Sequence, residues 1–170
     1  MPTKPRRATN YWWVTASKYD PDPKRRWHWQ CFFKDPGDRR QRVDWGRPGW
    51  INSRISYARI AEMRKGDIVV AYQAGEGIRG LAYLARGGYQ SPETGEYDTF
   101  NLKSSPTVWF DEPIPYRIIR EIPNAKEDFE FVKIKQGTVF RISNNGFNKL
   151  SEIILALNPT QKKAIARFLK

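Results

Sequence analysis

Two tryptophans, Trp45 and Trp50, lie in the run Asp44-Trp-Gly-Arg-Pro-Gly-Trp50, where two glycines and a proline exclude a regular helix or strand. Large rings on irregular backbone have weak packing reasons to be there, and their flat faces suit stacking on a nucleobase. Arg47 stands between the two rings, and Arg54 and Arg59 follow on the next helical stretch, where cations could neutralise phosphate. A second reading stays open, in which one ring plugs the end of the fold and the arginines form a solvated face.

Catalytic chemistry has less to work with. Cys31 is the only cysteine and His28 the only histidine, so neither a cysteine zinc site nor an imidazole pair is expected. A Cys31 thiolate would need a positioned base, and His28 reads as packed or surface. Glu112, Glu130 and Lys133 could be assembled into the carboxylate and lysine cluster of a nuclease, but no tight motif orders them. The expectation is a non-catalytic chain with no cofactor and no metal.

The bulk composition favours a polyanion as partner. Thirty Lys and Arg against 18 Asp and Glu leave a formal charge of +12, and phosphates neutralised by such a surplus release counterions. Aromatic residues make up 14% of the chain, more than one core of this size needs, which adds base stacking to the electrostatic reading. With 170 residues and 39% hydrophobic content the chain can bury one sizeable core, so a single domain with small appendages is expected. A lone cysteine excludes an internal disulfide, and a reducing cytosol is the natural compartment. Met1-Pro-Thr-Lys-Pro-Arg-Arg7 carries charge without an apolar stretch, unlike a secretory signal, and no apolar run is long enough for a membrane span.

The elements that must position these residues centre on Glu62 to Ala85. A helix stops at Lys65-Gly66, Ile68-Val-Val-Ala-Tyr-Gln73 reads as a strand buried on both faces, Gly75-Glu-Gly77 turns the chain, and Ile78 to Ala85 returns as a second strand. Before this hairpin, residues 1–9 read as a disordered basic tail and Tyr11 to Ser17 as an aromatic first strand ending in the small residues Thr15, Ala16 and Ser17. Residues 18–48 carry turn signals around Trp27 to Phe33, expected as a strand or short helix packed on the body. Asn52 or Ser53 caps the helix that follows, with Tyr57, Ile60 and Ala61 on its buried face.

After the hairpin, Tyr89, Tyr97 and Phe100 ride on or near a flexible connection. Thr107 to Asp111, Tyr116 to Arg120, Phe129 to Lys135 and Gly137 to Ser143 read as strands. Asn144 or Asn145 caps a helix carrying Phe147, Leu150, Ile154 and Leu157, and Asn158-Pro159 opens a last helix with Ile165, Phe168 and Leu169 on one side. The class is α+β: a curved, mostly antiparallel barrel of about six strands flanked by two to four helices.

The order of these pieces resembles the EVE domain and, through it, the wider PUA-like group that includes YTH domains. The resemblance rests on the aromatic strand Tyr11 to Ser17, the tryptophan loop Trp45 to Trp50, Met63-Arg-Lys-Gly-Asp-Ile-Val-Val-Ala-Tyr-Gln73, Ile78-Arg-Gly-Leu-Ala82, Val132-Lys-Ile-Lys-Gln-Gly-Thr138, and Arg141-Ile-Ser143 followed by Phe147 and Leu150. It implies a domain over residues 10–157 with residues 158–170 as a C-terminal helix packed on it. It further implies a pocket that receives one modified, methylated base flipped out of its stack, with DNA favoured and RNA the alternative. Within that pocket Thr15, Ala16 and Ser17 fall at the edge-reading position and Trp50, or failing that Trp45, at the first cage aromatic. Tyr89, Tyr97 and Phe100 compete for the second. Lys133 and Lys135 fall near residues that hold backbone phosphate. The partner is then nucleic acid, with a separate nuclease or restriction enzyme as the protein that would act on what is read. The insertion from Lys18 to Asp44 departs from the compact family pattern and alters the pocket entrance.

Overall fold

The first strand, β1 (Tyr11–Ala16), is buried on both sides, and this decides the architecture. Trp13 faces one core and Trp12, Val14 and Ala16 face another, so the sheet needs covering layers front and back. A computed structural model describes residues 8–16, 29–34, 59–90, 97–98, 102–134 and 137–169. The expectations for the basic tail up to Arg7, for the tryptophan loop and for the Asn52 or Ser53 cap lie outside these residues.

Beside β1 runs β2 (Ile68–Gln73), then β3 (Gly77–Leu84), the two-residue strands β4 (Tyr89–Gln90) and β5 (Tyr97–Asp98), β6 (Leu102–Ile114) and β7 (Val139–Ile142). The main sheet has the order β6-β3-β2-β1-β7. Its β1–β2 pair is parallel, with Tyr11 opposite Ile68 and Thr15 opposite Tyr72, while the β1–β7, β2–β3 and β3–β6 pairs are antiparallel. The expected hairpin is present, and Gly66, at a φ of 88°, closes the turn before it. Gly77 ends the hairpin turn at a φ of 117°, and a Cβ there would also land on the Ile114 carbonyl, so glycine answers two demands at once.

The mostly antiparallel pairing expected from the sequence has one exception. The long connection from β1 to β2 makes a crossover, as a parallel pair requires, and α1 (Trp29–Lys34) and a helical turn at 59–62 lie along it. This settles the segment around Trp27 to Phe33 as helical from Trp29 onward. Trp29 and Phe32 pack with Val14, Ala16, Val69, Ala71 and Ala82 on one face of the sheet. Ile60 is buried in that layer and Ala61 is exposed, because the turn presents only one of the two to the sheet.

The opposite face is covered by α2 (Tyr116–Arg120), α3 (Ala125–Asp128), α4 (Glu130–Lys133), α5 (Asn144–Leu157), a 3-10 turn (Pro159–Gln161) and α6 (Lys162–Ala166). Two expected strands are thus helices. Tyr116 to Arg120 follows Pro115 as α2, with Ile119 buried. In the second, Phe129 and Val132 are both buried at helical spacing, and Phe129 makes only a single bridge to Ile142. Alternation of apolar and charged residues there was ambiguous between the two periods, and the need to roof the core chose the helix.

Ser143, rather than Asn144 or Asn145, caps α5: its Oγ accepts the Gly146 N–H at 2.9 Å. Phe147, Leu150 and Ile154 are buried as their spacing predicts, and Leu157 is exposed at the helix end. Ile165 and Phe168 join the same core as Trp13, while Leu169 is exposed. The Asn158 side chain accepts Glu112 N–H at 2.8 Å and donates to the Glu112 carbonyl at 3.0 Å, which ties the C-terminal segment to β6.

Candidate nucleic-acid interface

At its C-terminal end β1 carries two of the residues expected at a base edge, Thr15 and Ala16. Thr15 is half-buried. Its backbone N–H donates to the Thr138 carbonyl at 2.8 Å, and its hydroxyl oxygen accepts the Trp13 indole N–H at 3.2 Å. Among the described residues nothing accepts the hydroxyl proton, which leaves it available to an outside acceptor. Ala16 is buried, and its carbonyl accepts Ala74 N–H at 2.9 Å and the Gln73 amide at 3.4 Å.

Gln73 is the buried polar residue that organises this end. While its Nε2 holds Ala16, its Oε1 accepts the Trp29 backbone N–H at 3.0 Å, so one amide fastens α1 to the last residue of β1. The Trp29 indole then donates to the Val14 carbonyl at 3.1 Å. Strand end, hairpin and α1 are therefore tied together by side-chain hydrogen bonds.

Next to Thr15 lies an aromatic shelf that sequence reasoning missed. Tyr72, opposite Thr15 in the register, stacks on Trp13 with ring centres 4.8 Å apart. Phe131 stacks on Trp13 at 4.6 Å and meets Tyr116 edge-on at 5.4 Å. Tyr72, Tyr116 and Phe131 are each half-buried, so part of each ring faces outward. Burial, and to a lesser extent the neighbouring Tyr116, raises the Tyr72 hydroxyl above its ordinary pKa, which keeps it a neutral hydrogen-bonding group. A tyrosine following the aliphatic run Ile68 to Ala71 was the available signal for Tyr72. Phe131 was hidden by the strand reading of its segment.

The basic residues divide. Lys133 is exposed on α4, two positions beyond Phe131, and among the described residues it makes no ion pair. Arg59 is engaged within the protein: it bonds Glu130 through Nε at 2.9 Å and through Nη2, and Glu62 at 3.4 Å. Glu62 also pairs with Arg141, whose backbone N–H donates to Glu130 at 2.8 Å. This group of four closes the outer edge of β7. Burial would raise the Glu130 pKa, but the Arg59 bonds and the Arg141 N–H outweigh it and hold the carboxyl below its usual range, while Arg59 is raised chiefly by its bond to Glu130. Glu130 is therefore tied to arginines rather than grouped with Lys133 and Glu112. Among the described residues no three His, Cys, Asp or Glu side chains are placed to hold a metal, and no helix is long and apolar enough to cross a membrane.

Of the other expected site residues, Ser17, Trp45, Arg47, Trp50, Arg54, Phe100 and Lys135 lie outside the described residues. Tyr89 and Tyr97 belong to a short antiparallel hairpin, with Tyr89 opposite Asp98 and Gln90 opposite Tyr97. Its root, Gly87 and Gly88, packs against the backbone of Met63 and Ile60.

A scan against protein-family models finds no match, and neither does a search of curated proteins. Solved structures do match. Human THYN1, determined in complex with 5-methylcytosine-containing DNA, aligns with a TM-score of 0.61 at 11% identity over 86% of this chain and 98% of its own. Protein Atu2648 of Agrobacterium tumefaciens aligns with a TM-score of 0.59 at 10% identity, over 86% of this chain and 93% of its own. Rpa0253 of Rhodopseudomonas palustris gives 0.57 at 18% identity, over 89% and 94%. At these identities the likeness concerns the backbone: the chain has a PUA-like α+β fold, a curved mixed sheet covered by helices, and shares it with these proteins.

Proposed function

We propose that this chain is a non-catalytic reader of a modified, methylated base, on DNA in preference to RNA, and that within the PUA-like fold it is an EVE domain. The observation that carries the reading is the fold shared with human THYN1, a protein solved on 5-methylcytosine DNA, in a chain whose own charge is +12. The base enters at the C-terminal end of β1. There Thr15 and Ala16, with Ser17, read its edge, and Trp50 or Trp45 supplies a stacking face opposite the half-buried Tyr72 and Phe131 rings, since the segment carrying Tyr89, Tyr97 and Phe100 joins the far ends of β3 and β6. The Tyr72–Trp13–Phe131 stack lends this end a rigid aromatic floor. Lys133, Lys135, Arg47 and Arg54 hold phosphate, and Arg59 contributes by holding α4 in place.

The energetics are feasible. Extruding a base costs a few kcal/mol, and each stacking contact returns about 1–3 kcal/mol, so two aromatic faces and several phosphate contacts favour the flipped state. A buried methyl adds about 0.8 kcal/mol from area alone, so sharper discrimination must come from polar reading or exclusion. The test is a binding panel of methylated and unmodified DNA and RNA oligonucleotides at one fixed salt concentration, for the intact chain and for W45A and W50A. Tightest binding is expected for methylated DNA, with one tryptophan variant losing roughly 5- to 150-fold, the equivalent of one stacking contact. Equal affinity for methylated and plain strands in the intact chain would overturn the proposal, and tighter binding to RNA would transfer it to that polymer.

A further inference from the structure

Far from Thr15, at the opposite end of the sheet, lies a cleft that base reading does not use. Residues leading into β1 and β2, the end of β3, the start of β6 and the first residue of α5 surround an open cavity of about 930 Å³. Lys65, Lys103 and Arg167 border it from three separate elements. All three are exposed, and among the described residues none has a carboxylate partner. Four other described cations are committed, Arg59 and Arg141 to glutamates, Arg79 to Glu76 and the Trp109 face, and Lys149 to Asp128, while exposed lysines such as Lys126, Lys162 and Lys163 do not border this cleft.

The one carboxylate in the cleft, Asp67, is buried and already occupied. It accepts the Trp12 indole N–H at 2.9 Å, the Arg64 backbone N–H at 2.9 Å and the Asn10 backbone N–H at 3.2 Å, so its role is to tie β1 to β2. Two tyrosines line the cleft and are held still. Tyr11 stacks on Phe147 at 3.9 Å, and Tyr83 stacks on Phe168 at 4.9 Å while its hydroxyl donates to the Arg167 carbonyl at 3.0 Å.

Like charges bordering one cleft repel one another, and the single carboxylate beside them, Asp67, offsets only part of their charge. A small anion would be met by convergent buried polar groups. Here the cations instead stand at the rim of an open groove beside fixed rings, an arrangement that suits a backbone of repeated charges. We propose that this cleft is a second contact site for the phosphodiester backbone of a nucleic acid, held by Lys65, Lys103 and Arg167. It rests on nucleic acid as the partner but not on the reading of a modified base. Six residues of β1 separate the two ends, about 16 Å at strand rise, so a strand touching both spans roughly five base steps.

The test compares the intact chain with K65A/K103A/R167A and with K126A/K162A/K163A, which removes three exposed lysines elsewhere. Affinity for methylated and unmodified duplexes is measured across a salt series, with thermal midpoints to verify folding. The cleft variant should lose affinity equally for both duplexes, and the slope of log K against log salt should become shallower by about one unit per residue removed. The control variant should retain most of the slope. An unchanged slope in the cleft variant, or an equal change in the control, would overturn the assignment. If the intact chain fails to prefer methylated DNA while the cleft variant still flattens the slope, base reading falls and the cleft stands.

Discussion

Asp128 shows how one buried carboxylate can organise a junction. It is 7% exposed and accepts Ser143 Oγ at 2.6 Å, Lys149 Nζ at 2.8 Å and Asn145 Nδ2 at 3.1 Å. Burial alone would raise its pKa, but the bonds from Lys149, Ser143 and Asn145 outweigh it and hold the carboxyl below its ordinary value. A folded-state value below the unfolded one contributes stability that is complete above the unfolded carboxylate range, about pH 4, and is lost as pH falls through the folded value. Asp128→Asn should therefore lower the thermal midpoint near neutrality, and its deficit against the intact chain should shrink on acidification below about pH 4. A deficit constant with pH would show that charge has no part in the effect.

At the scale of elements, the candidate site depends on how α1 is fastened to the end of β1. Gln73 bonds both, through Trp29 N–H and the Ala16 carbonyl, and the Trp29 indole adds a bond to Val14. Gln73→Ala would strand a buried N–H and should cost about 1–3 kcal/mol, measurable by urea denaturation. Because Thr15 and Ala16 belong to the same unit, affinity for methylated DNA should fall as well, while the salt dependence stays put. Intact affinity in a destabilised Q73A would show that α1 does not set the geometry of the strand end. The β2–β3 hairpin was legible in advance because a short β-branched run between glycines has few other solutions. The strand reading of Phe129 to Lys135 failed for the converse reason: seven residues fit either period, and burial of Phe129 and Val132 in the core decided for the helix.

Taken whole, the molecule is a mixed sheet between two apolar layers, and its C-terminal segment is part of one layer. Phe168 is 1% exposed and shares a core with Trp13, Phe140 and Leu150. Phe168→Ala should cost about 3–5 kcal/mol in denaturant unfolding, and since it lies far from Thr15 the preference for methylated over plain DNA should persist wherever the variant is folded. A cost within about 0.5 kcal/mol, as for a surface change, would mean that the segment is peripheral. Under the proposed reading the two ends of the sheet divide the labour: aromatic faces and a strand terminus at one, exposed cations around a cleft at the other.

Composition and local pattern alone determined the class, the central hairpin, the helical spacing of α5 and the pull toward a polyanion, since charge and periodicity are summed along the chain and need no knowledge of neighbours. Tertiary structure decided the parallel pairing of β1 with β2, the pairing of Arg59 with carboxylates, the stacking of Tyr72 and Phe131 on Trp13, and the meeting of Lys65, Lys103 and Arg167 around one cleft. Each of these joins residues distant in sequence, and contacts of that kind are set by which surfaces the sheet brings face to face, a property that no local window of residues contains.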